Sequence, residues 1–524
     1  MNKFCILAAG CGTRNDNVSG LHKALLPLEN KPVISHIIDR LGDVEIVIAV
    51  GYKSEQIKSY MDLVHSDRTI TYVDVDNYDG LGSGPGYSLL CCKSKLQEPF
   101  VFTSVDTLID DEIDIMSIGE NWLGVSSVDK DNSLHYCLVE GSKYLDKLYY
   151  GSGDTAYIGM AGIQNHKDFW DSLERHKIIK DEYQVIHGFD GLTHMKLINF
   201  TWYDTGNNES YMDTKKVFCN DVVANKSDEA IFLDNGKVVK YFDDTTKVTK
   251  RVNRVKYLNG NTPDILLVNP NMYSYDFIDG NLLSNVTDES VMSNFLYYCR
   301  KKLWTHTDDS DSFIDDCREM YEFKTKQRVE VFANTKLDKI NRINGIEVQP
   351  IQVMLGKIDW ESLYESAVAV NFHGDLQPEN ILYDHNNDKF FLIDWRQQFG
   401  KSLEVGDVYY DLAKLYHAIM INGQTILKDM FDYTITKNSA QVSFYAKSNL
   451  VFFNQIFIDF CHKNDYIWSK VELLGILQYF NICGLYENFK GGKYGHFLFL
   501  YGKYLLSKFI SRSNYGQEKV NKFI

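Results

Sequence analysis

The most informative segment of the chain reads His373-Gly374-Asp375-Leu376-Gln377-Pro378-Glu379-Asn380-Ile381-Leu382, and Phe391-Leu392-Ile393-Asp394-Trp395 follows it closely. Asp375 stands five residues before Asn380, and Asp394 ends an apolar run fourteen residues later. Phosphoryl transfer uses a carboxylate that accepts the proton of the attacking hydroxyl, with an amide and a second carboxylate that hold Mg²⁺ on the nucleotide phosphates. The spacing therefore predicts that Asp375 is a catalytic base and that Asn380 and Asp394 are metal ligands.

This segment resembles the catalytic segment of the aminoglycoside-phosphotransferase and choline-kinase group of small-molecule kinases. His-Gly-Asp replaces the His-Arg-Asp of protein kinases, and Asp394-Trp395-Arg396 stands at the Asp-Phe-Gly position. Residues 406–414 (Gly-Asp-x-x-Tyr-Asp-Leu-Ala-Lys) match the helix that follows in this group, whose carboxylates usually support the catalytic loop. The resemblance implies a two-lobed protein-kinase-like domain that uses ATP and Mg²⁺ to phosphorylate a small alcohol.

A second informative segment lies at the N-terminus. Residues 3–9 are apolar after Lys3 and predict a buried strand, and Gly10-Cys11-Gly12-Thr13-Arg14 predicts a tight glycine turn. Such a turn lets backbone N–H groups approach a triphosphate, although the pattern is equally typical of an ordinary strand-to-helix connection.

The longer pattern resembles the signature of the nucleotidyltransferases that activate sugar phosphates and related phosphorylated alcohols. It comprises Leu7-Ala8-Ala9-Gly10-x-Gly12-Thr13-Arg14, Lys23-Ala24-Leu25-Leu26-Pro27-Leu28 and Lys31-Pro32. The resemblance implies that Arg14 and Lys23 are catalytic, neutralising charge on the phosphorus and on the leaving pyrophosphate. It also implies nucleotide contacts from Leu7, Ala8, Ala9, Gly10, Gly12 and Thr13. One departure is His22, where the family usually has proline.

Strand-like runs recur at 45–50, 69–75 and 100–103, with helix-like segments between the first of them. This alternation predicts an α/β domain with a doubly wound, Rossmann-like, mostly parallel sheet whose ligands sit beyond the carboxyl ends of the strands. The loop at 80–86 is rich in glycine, and a flexible hairpin is the alternative interpretation. By resemblance, Gly82, Ser83 and Gly84 contact the base and ribose.

Two aspartates lie in the family's metal motifs. Asp106 follows an apolar strand, and Asp204 lies in Trp202-Tyr203-Asp204-Thr205-Gly206. Two carboxylates and phosphate oxygens suit Mg²⁺. The resemblance further implies that Lys147 and Gly162 bind the phosphorylated acceptor, and the segment 187–190 is a further candidate for this pocket.

The expected domains are a nucleotidyltransferase domain at 1–217, a linker at 218–225 and a kinase-like domain at 226–524. The kinase-like domain would comprise a small lobe at about 226–280 and a helical large lobe at about 281–524. Asp234-Asn235-Gly236 predicts a hairpin turn. Lys240 on that hairpin is the candidate lysine for the ATP phosphates. No glycine-rich loop precedes it, and no glutamate lies between Lys240 and Glu289.

Composition restricts the partners. The net charge of −16 argues against general affinity for nucleic acid or anionic membranes. The ten cysteines form no CxxC pair, which favours reduced thiols, and neither a signal peptide nor a membrane-spanning stretch is expected. We therefore expect a cytoplasmic protein whose partners are nucleotides and a small alcohol or sugar; the sequence allows a homo-oligomer without requiring one.

Together the two resemblances predict a bifunctional enzyme. The kinase would phosphorylate an alcohol or sugar with ATP, and the nucleotidyltransferase would attach a nucleotidyl group, most readily CMP from CTP, for cell-surface (capsule) polysaccharide synthesis. The choice of CTP rests on analogy with fused enzymes that pair this kinase type with a cytidylyltransferase. Two alternatives remain open: a choline kinase with phosphocholine cytidylyltransferase activity, and a nucleotidyltransferase whose kinase-like half only binds ligand.

Overall fold

The structure is a computed structural model that describes residues 1–12, 20–131, 133–175, 182–218, 228–307, 312–486 and 489–520. The chain divides into two compact units. Unit 1 comprises Met1–Thr245 and Leu266–Phe277, and unit 2 comprises Thr246–Ile265 and Ile278–Ile524. The predicted linker at 218–225 lies, apart from Phe218, outside the described residues.

The strands and helices of unit 1 follow one another in short alternation. The strands are β1 (Lys3–Ala8), β2 (Pro27–Leu28), β3 (Lys31–Pro32), β4 (Glu45–Val50), β5 (Ile70–Asp74), β6 (Phe100–Ser104), β7 (Thr107–Ile109), β8 (Trp122–Ser127), β9 (Leu138–Gly141), β10 (Leu145–Tyr149), β11 (Thr155–Ile163), β12 (Lys196–Asn199), β13 (Trp202–Asp204), β14 (Glu229–Asp234), β15 (Lys237–Phe242), β16 (Leu266–Asn269) and β17 (Met272–Asp276). The helices are α1 (Val33–Ile38), α2 (Ser54–Val64), α3 (Pro85–Cys91), α4 (His166–Arg175) and α5 (Asn208–Val217).

The main sheet of unit 1 has the order β10-β9-β11-β6-β1-β4-β5, in which β8 also pairs with β11 and β12 pairs with β8. Strands β6, β1, β4 and β5 run parallel, with Lys3 opposite both Glu45 and Phe100. Strand β11 is antiparallel to β6. The prediction of a mostly parallel sheet is therefore correct at its centre, while the later strands extend it with antiparallel pairs.

Successive side chains of the central strands belong to two different hydrophobic cores, one on each face of the sheet. Phe4 and Ile6 pack with α1 and α2 on one face, whereas Cys5 and Leu7 pack with α3 and α4 on the other. Both faces are buried because consecutive side chains of a strand point in opposite directions and each face carries helices. This arrangement confirms the predicted α/β, Rossmann-like architecture of the N-terminal part.

The predicted hairpin forms between β14 and β15, with Asp234 opposite Lys237. Asn235 and Gly236 have φ values of 43° and 71°, as a tight two-residue turn requires. The strands form the sheet β14-β15-β17-β16, and its Phe232 and Tyr241 share a core with Tyr60 of α2. The hairpin β14–β15 thus belongs to unit 1, whereas residues from 226 onwards are predicted to belong to the kinase-like domain. It belongs to unit 1 because the apolar face of this small sheet packs on α2.

Unit 2 is mainly helical. Its helices are α6 (Thr245–Arg254, whose first residue belongs to unit 1), α7 (Glu289–Tyr298), α8 (Phe313–Arg318), α9 (Lys324–Val329), α10 (Ile351–Leu355), α11 (Trp360–Glu365), α12 (Val408–Met420), α13 (Gly423–Leu427), α14 (Ser448–Lys463), α15 (Trp468–Cys483) and α16 (Lys493–Val520). Its strands are β18 (Asn281–Leu282), β19 (Arg342–Ile343), β20 (Ile346–Glu347), β21 (Ala369–Asn371), β22 (Ile381–Asp384), β23 (Lys389–Leu392), β24 (Val405–Asp407), β25 (Phe431–Thr436) and β26 (Ser439–Phe444).

The core of unit 2 surrounds two almost completely buried helices, α12 and α15, which pack against each other. Strand β21 pairs with β24 at the start of α12, and β22 pairs with β23, so the segment 373–380 lies between two short antiparallel pairs. None of the described helices combines the length and the apolar character needed to cross a membrane.

Candidate active sites

The glycine turn of unit 1 follows β1 directly. Gly12 has a φ of 63°, which favours glycine, and a methyl group added there would lie 3.2 Å from Cδ of Lys23. The turn therefore approaches the side chain of the predicted catalytic lysine. Thr13 and Arg14, which the sequence predicts to bind nucleotide and stabilise charge, lie outside the described residues.

His22 replaces the family's proline with a buried side chain that connects the turn to the lysine. Its Nδ1 accepts a hydrogen bond from the backbone N–H of Ala24 (3.0 Å), and its Nε2 lies 3.2 Å from the carbonyl oxygen of Gly10. Burial, reinforced by the charge of Lys23, lowers the pKa of His22 to about 3. The imidazole is therefore neutral, and it caps the short 3₁₀ helix Lys23–Leu25 while donating to Gly10.

Asp106 and Asp204, the two predicted metal ligands of unit 1, both lie beside Gly206. Strand β13 pairs with β7 so that Asp204 lies opposite Thr107, the residue after Asp106. A methyl group added at Gly206 would lie 3.1 Å from Oδ1 of Asp204 and 3.4 Å from Oδ2 of Asp106. The absence of a side chain at Gly206 therefore leaves space between two carboxylates that are distant in sequence.

The two carboxylates differ in their electrostatic surroundings. Nζ of Lys23 lies 2.9 Å from Oδ2 of Asp106. Although burial raises the pKa of Asp106, this ammonium group holds it below its usual value. Burial raises the pKa of Asp204, and the nearby charge of Asp106 raises it further. A divalent cation would relieve this repulsion, so the pair fits the oxygen-ligand site that Mg²⁺ prefers.

Sequence reasoning missed Tyr136 as part of this site. Its hydroxyl donates to Oδ2 of Asp204 (3.1 Å), and its ring packs edge-on against Trp202. The backbone N–H of Gly206 donates to Oδ1 of the same aspartate (2.8 Å). Both oxygens of Asp204 are thus oriented by neighbours. No spacing pattern in the sequence could identify Tyr136, because it lies 68 positions from Asp204 and only the folded chain brings the two together.

The predicted acceptor residues lie in different environments. Lys147 is exposed on β10. Gly162 packs directly beneath the indole ring of Trp122, so it faces the core. Gly159, three residues earlier, has a φ of 80°, and a methyl group there would lie 3.2 Å from Cβ of Ser104. Of the two glycines, Gly159 is therefore the one that adjoins the segment leading to Asp106, at an irregularity in the pairing of β11 with β8.

The glycine-rich loop at 80–86 pairs with a later segment. The carbonyl of Ser83 accepts from the N–H of Tyr183 (2.7 Å), and the carbonyl of Tyr183 accepts from the N–H of Gly86 (2.8 Å). Gly82 and Gly84 have φ values of 81° and 130°. The loop therefore has a defined path into α3, and its role in binding the base stays a prediction.

In unit 2, Asp411 of α12 holds the beginning of the predicted catalytic loop. It accepts hydrogen bonds from the backbone N–H groups of His373 (2.8 Å) and Gly374 (2.6 Å), and from the indole N–H of Trp304 (3.1 Å). Burial raises the pKa of Asp411 to about 6 in spite of these bonds. Asp411 thus supports the loop, as expected of the carboxylates in this helix.

Asp375 lies in a network of donors. Its Oδ1 lies 3.0 Å from Nζ of Lys414 and accepts from Nε2 of Gln377 (2.8 Å), while Nδ2 of Asn380 donates to its backbone carbonyl (2.8 Å). Burial alone would raise the pKa of Asp375, but Lys414 and Gln377 hold it well below the usual range. Asp375 therefore stays ionised and able to accept a proton. Lys414 was not among the predicted site residues.

The predicted metal ligands of unit 2 lie at one end of the hairpin β22–β23. The N–H of Ile393 donates to the carbonyl of Asn380 (2.9 Å), which places Asn380 beside the residue that precedes Asp394. Asp394 has a φ of 58°, and its Oδ1 lies 3.3 Å from a guanidinium nitrogen of Arg251. Lys240 is buried in β15 of unit 1, and its predicted role at the ATP phosphates stays a prediction.

Comparison with known proteins identifies the N-terminal part. Residues 4–123 match the family described as the MobA-like NTP transferase domain. A bifunctional protein GlmU from Methanococcus maripaludis is 30% identical over 138 residues, 26% of this chain and 31% of that protein. The UTP–glucose-1-phosphate uridylyltransferase AglF from Haloferax volcanii is 29% identical over 109 residues, 20% of this chain and 43% of that protein. The chain thus spans less than half the length of each relative.

Among solved structures, a UDP-glucose pyrophosphorylase in complex with UDP-glucose aligns with 42% of this chain and 98% of its own, at 17% identity and a TM-score of 0.36. The CTP:phosphocholine cytidylyltransferase LicC from Streptococcus pneumoniae aligns with 41% of this chain and 99% of its own, at 18% identity and a TM-score of 0.36. The family match and the α/β sheet agree on one conclusion: residues 4–123 of this chain match the MobA-like NTP transferase domain, and the similar proteins include a glucose-1-phosphate uridylyltransferase.

Proposed function

We propose that the chain catalyses two consecutive transfers. Unit 2 would move the γ-phosphoryl group of ATP to a hydroxyl of a small alcohol or sugar. Unit 1 would then join that phosphate to the α-phosphorus of a nucleoside triphosphate, for which CTP is the proposed substrate, and release pyrophosphate. The nucleotide-linked product would serve cell-surface polysaccharide synthesis. The observation that carries the proposal is the cluster of Lys23, Asp106 and Asp204 inside an NTP transferase domain.

The chemistry proposed for unit 1 needs charge neutralisation more than proton transfer. The acceptor phosphate is already ionised, so its oxygen can attack the α-phosphorus directly while the bond to pyrophosphate breaks. Lys23 supplies a positive charge at the glycine turn, where negative charge accumulates during the transfer. Asp106 and Asp204 would hold Mg²⁺, which when bound neutralises phosphate oxygens.

The chemistry proposed for unit 2 needs a base. A hydroxyl must lose its proton as its oxygen bonds to the γ-phosphorus and ADP leaves, and the ionised carboxylate of Asp375 would take that proton. Lys414 keeps Asp375 ionised, and Asn380 keeps its backbone in place. Asn380 and Asp394 would hold Mg²⁺ on the nucleotide.

The test is product analysis by mass spectrometry after incubating the full chain with ATP, mixed nucleoside triphosphates, Mg²⁺ and pooled small alcohols and sugars. We expect a nucleotide-linked product that disappears in Asp106→Asn and in Asp375→Asn. A phosphorylated alcohol should still accumulate in Asp106→Asn, and added phosphorylated alcohol should restore the product in Asp375→Asn. If Asp375→Asn forms the product as fast as wild type from unphosphorylated alcohol, the kinase half of the proposal is wrong.

A further inference from the structure

A cavity of about 350 Å³ lies in unit 2 near the predicted catalytic loop. Helix α9 and the π-helical segment Glu319–Phe323 before it contribute Glu319, Lys324 and Arg328. The segment after Asp394 contributes Arg396 and Gln398. This volume falls in the range of sites for small molecules.

The cavity borders the catalytic loop through Arg396. The N–H of Arg396 donates to the carbonyl of His373 (3.0 Å), and its Cβ packs closely against Gly374. Gly374 immediately precedes Asp375. A ligand in this cavity would therefore lie close to the carboxylate that is proposed to take the hydroxyl proton.

The cavity wall is positively charged. Lys324, Arg328 and Arg396 line it, whereas its acidic residue, Glu319, is exposed to solvent. In the described part of the chain, no carboxylate lies within 4.0 Å of the cationic nitrogens of these three residues. Lys324 instead contacts the hydroxyl of Tyr410 (3.3 Å), and Nε of Arg396 donates to the carbonyl of Gln398 (3.0 Å).

The same positive charges lower the pKa of the Tyr410 hydroxyl. Burial alone would raise the pKa of its hydroxyl, but Lys324, Arg396 and Lys414 together lower it to about 8. Lys414 is also the partner of Asp375. The positive charges thus extend from the cavity to the catalytic carboxylate, and an anion is the ligand that would neutralise them.

We propose that the acceptor of unit 2 is an alcohol or sugar that itself carries an anionic group, which Lys324 and Arg396 bind while the hydroxyl faces Asp375. This inference rests on the proposed kinase function and narrows its substrate class. It disfavours choline, because a quaternary ammonium group would be repelled by this wall. Carboxylate and phosphate groups share the required charge, so the experiment includes both.

Hexoses of matched size provide the test: glucose, glucosamine, glucuronate and glucose 6-phosphate. ADP formation by the full chain should show a kcat/KM for glucuronate or glucose 6-phosphate at least about tenfold above that for glucose, and lower values for glucosamine. Lys324→Gln should raise KM for the preferred anion by about tenfold with little change in kcat. Lys326→Gln removes an exposed charge on the same helix and should leave both constants unchanged. Equal or better use of glucosamine would overturn the inference.

A binding measurement tests the proposed anion site independently of the proposed kinase activity. Titration calorimetry of the Asp375→Asn chain should detect one of the two anionic sugars, with an affinity reduced about tenfold by the additional Lys324→Gln change. If no sugar supports ADP formation but this charge-dependent binding is present, the kinase function fails and the anion site stands. If neither anion binds, or if Lys324→Gln leaves the affinity unchanged, the anion site is wrong.

Discussion

The ammonium group of Lys414 lies 3.0 Å from Oδ1 of Asp375, and both side chains belong to unit 2. Lys414 is buried on α12, seven residues after the capping residue Asp407, while Asp375 lies in the loop after β21. The cation compensates for the burial of the carboxylate, so helix α12 sets the charge state of the proposed base.

Replacing Lys414 by methionine should therefore change the pH dependence of ADP formation. In the wild type, the pKa of Asp375 lies well below the usual range, so the carboxylate is ionised throughout the neutral range. Without Lys414, burial still disfavours the charged form, and the pKa should rise. We expect activity to fall by about 100-fold at neutral pH. A decline should also appear in the pH–rate profile as the pH is lowered from about 8 to about 5, where the wild type is flat.

Lys357→Met provides a matched control, because Lys357 is exposed and its ammonium group donates to Gln349, outside the loop. It should retain the wild-type profile. A flat profile in Lys414→Met would show that Lys414 does not govern the ionisation of Asp375.

Replacing Asp204 by asparagine should affect the other reaction. The loss of one carboxylate beside Gly206 removes a proposed Mg²⁺ ligand, so pyrophosphate release should fall by about 100-fold or more. The Mg²⁺ concentration for half-maximal rate should rise, and chelation of Mg²⁺ should abolish the residual rate. ADP formation by the same preparation should be unchanged. Asp213→Asn, which alters an exposed carboxylate on α5, is the control; an unchanged Mg²⁺ dependence in Asp204→Asn would exclude Asp204 as a ligand.

The two glycines of β11 should respond differently to alanine. A methyl group at Gly162 would collide with Trp122, so Gly162→Ala should lower the free energy of unfolding by roughly 1–3 kcal/mol. The acceptor KM of the folded fraction should not change. Gly159→Ala should instead lower the rate of pyrophosphate formation, because Gly159 adjoins Ser104 and its backbone has a positive φ that disfavours alanine. Calorimetric melting and steady-state kinetics measure both effects. A raised KM with unchanged melting in Gly162→Ala would restore Gly162 as an acceptor residue.

Asp234→Asn tests the polar contacts that join the small sheet to α2 and β3 within unit 1. Asp234 is buried, accepts from the hydroxyl of Tyr60 (3.0 Å) and lies 3.4 Å from Nζ of Lys31. Although burial raises its pKa, hydrogen bonds and the nearby Lys31 lower it from 3.8 to about 2. Because the folded pKa is depressed, this stabilisation of roughly 2 kcal/mol is present above about pH 4 and is lost as the pH falls towards about 2.

Urea denaturation of wild type and variant across this range measures the difference. The gap between their midpoints should be largest at neutral pH and should narrow below about pH 4. Asp228→Asn is not a suitable control because Asp228 contacts the same sheet, whereas Asp43→Asn, which alters an exposed carboxylate before β4, is suitable. A gap that is independent of pH would show that Asp234 acts through packing alone.

Much of the N-terminal architecture could be read from local patterns. The apolar runs at 45–50 and 100–103 became β4 and β6 almost residue for residue, and the turn Asp234-Asn235-Gly236 formed the expected hairpin. Hydrophobic periodicity and turn residues involve only a few neighbouring positions, so they can be recognised in a single sequence. The NTP transferase domain was identifiable for the same reason, because its signature residues are close together in the chain.

The sequence by itself determined the α/β order of unit 1, the candidate carboxylates Asp106, Asp204, Asp375 and Asp394, and the chemistry that such groups favour. Only the tertiary structure decided which partners surround them. Lys414 meets Asp375, Tyr136 meets Asp204, and Lys324 faces a cavity beside Arg396. It also decided that Gly162 packs in the core and that the hairpin β14–β15 covers α2. These contacts join residues from 39 to 172 positions apart, and burial and charge act through space, so no local pattern carries them.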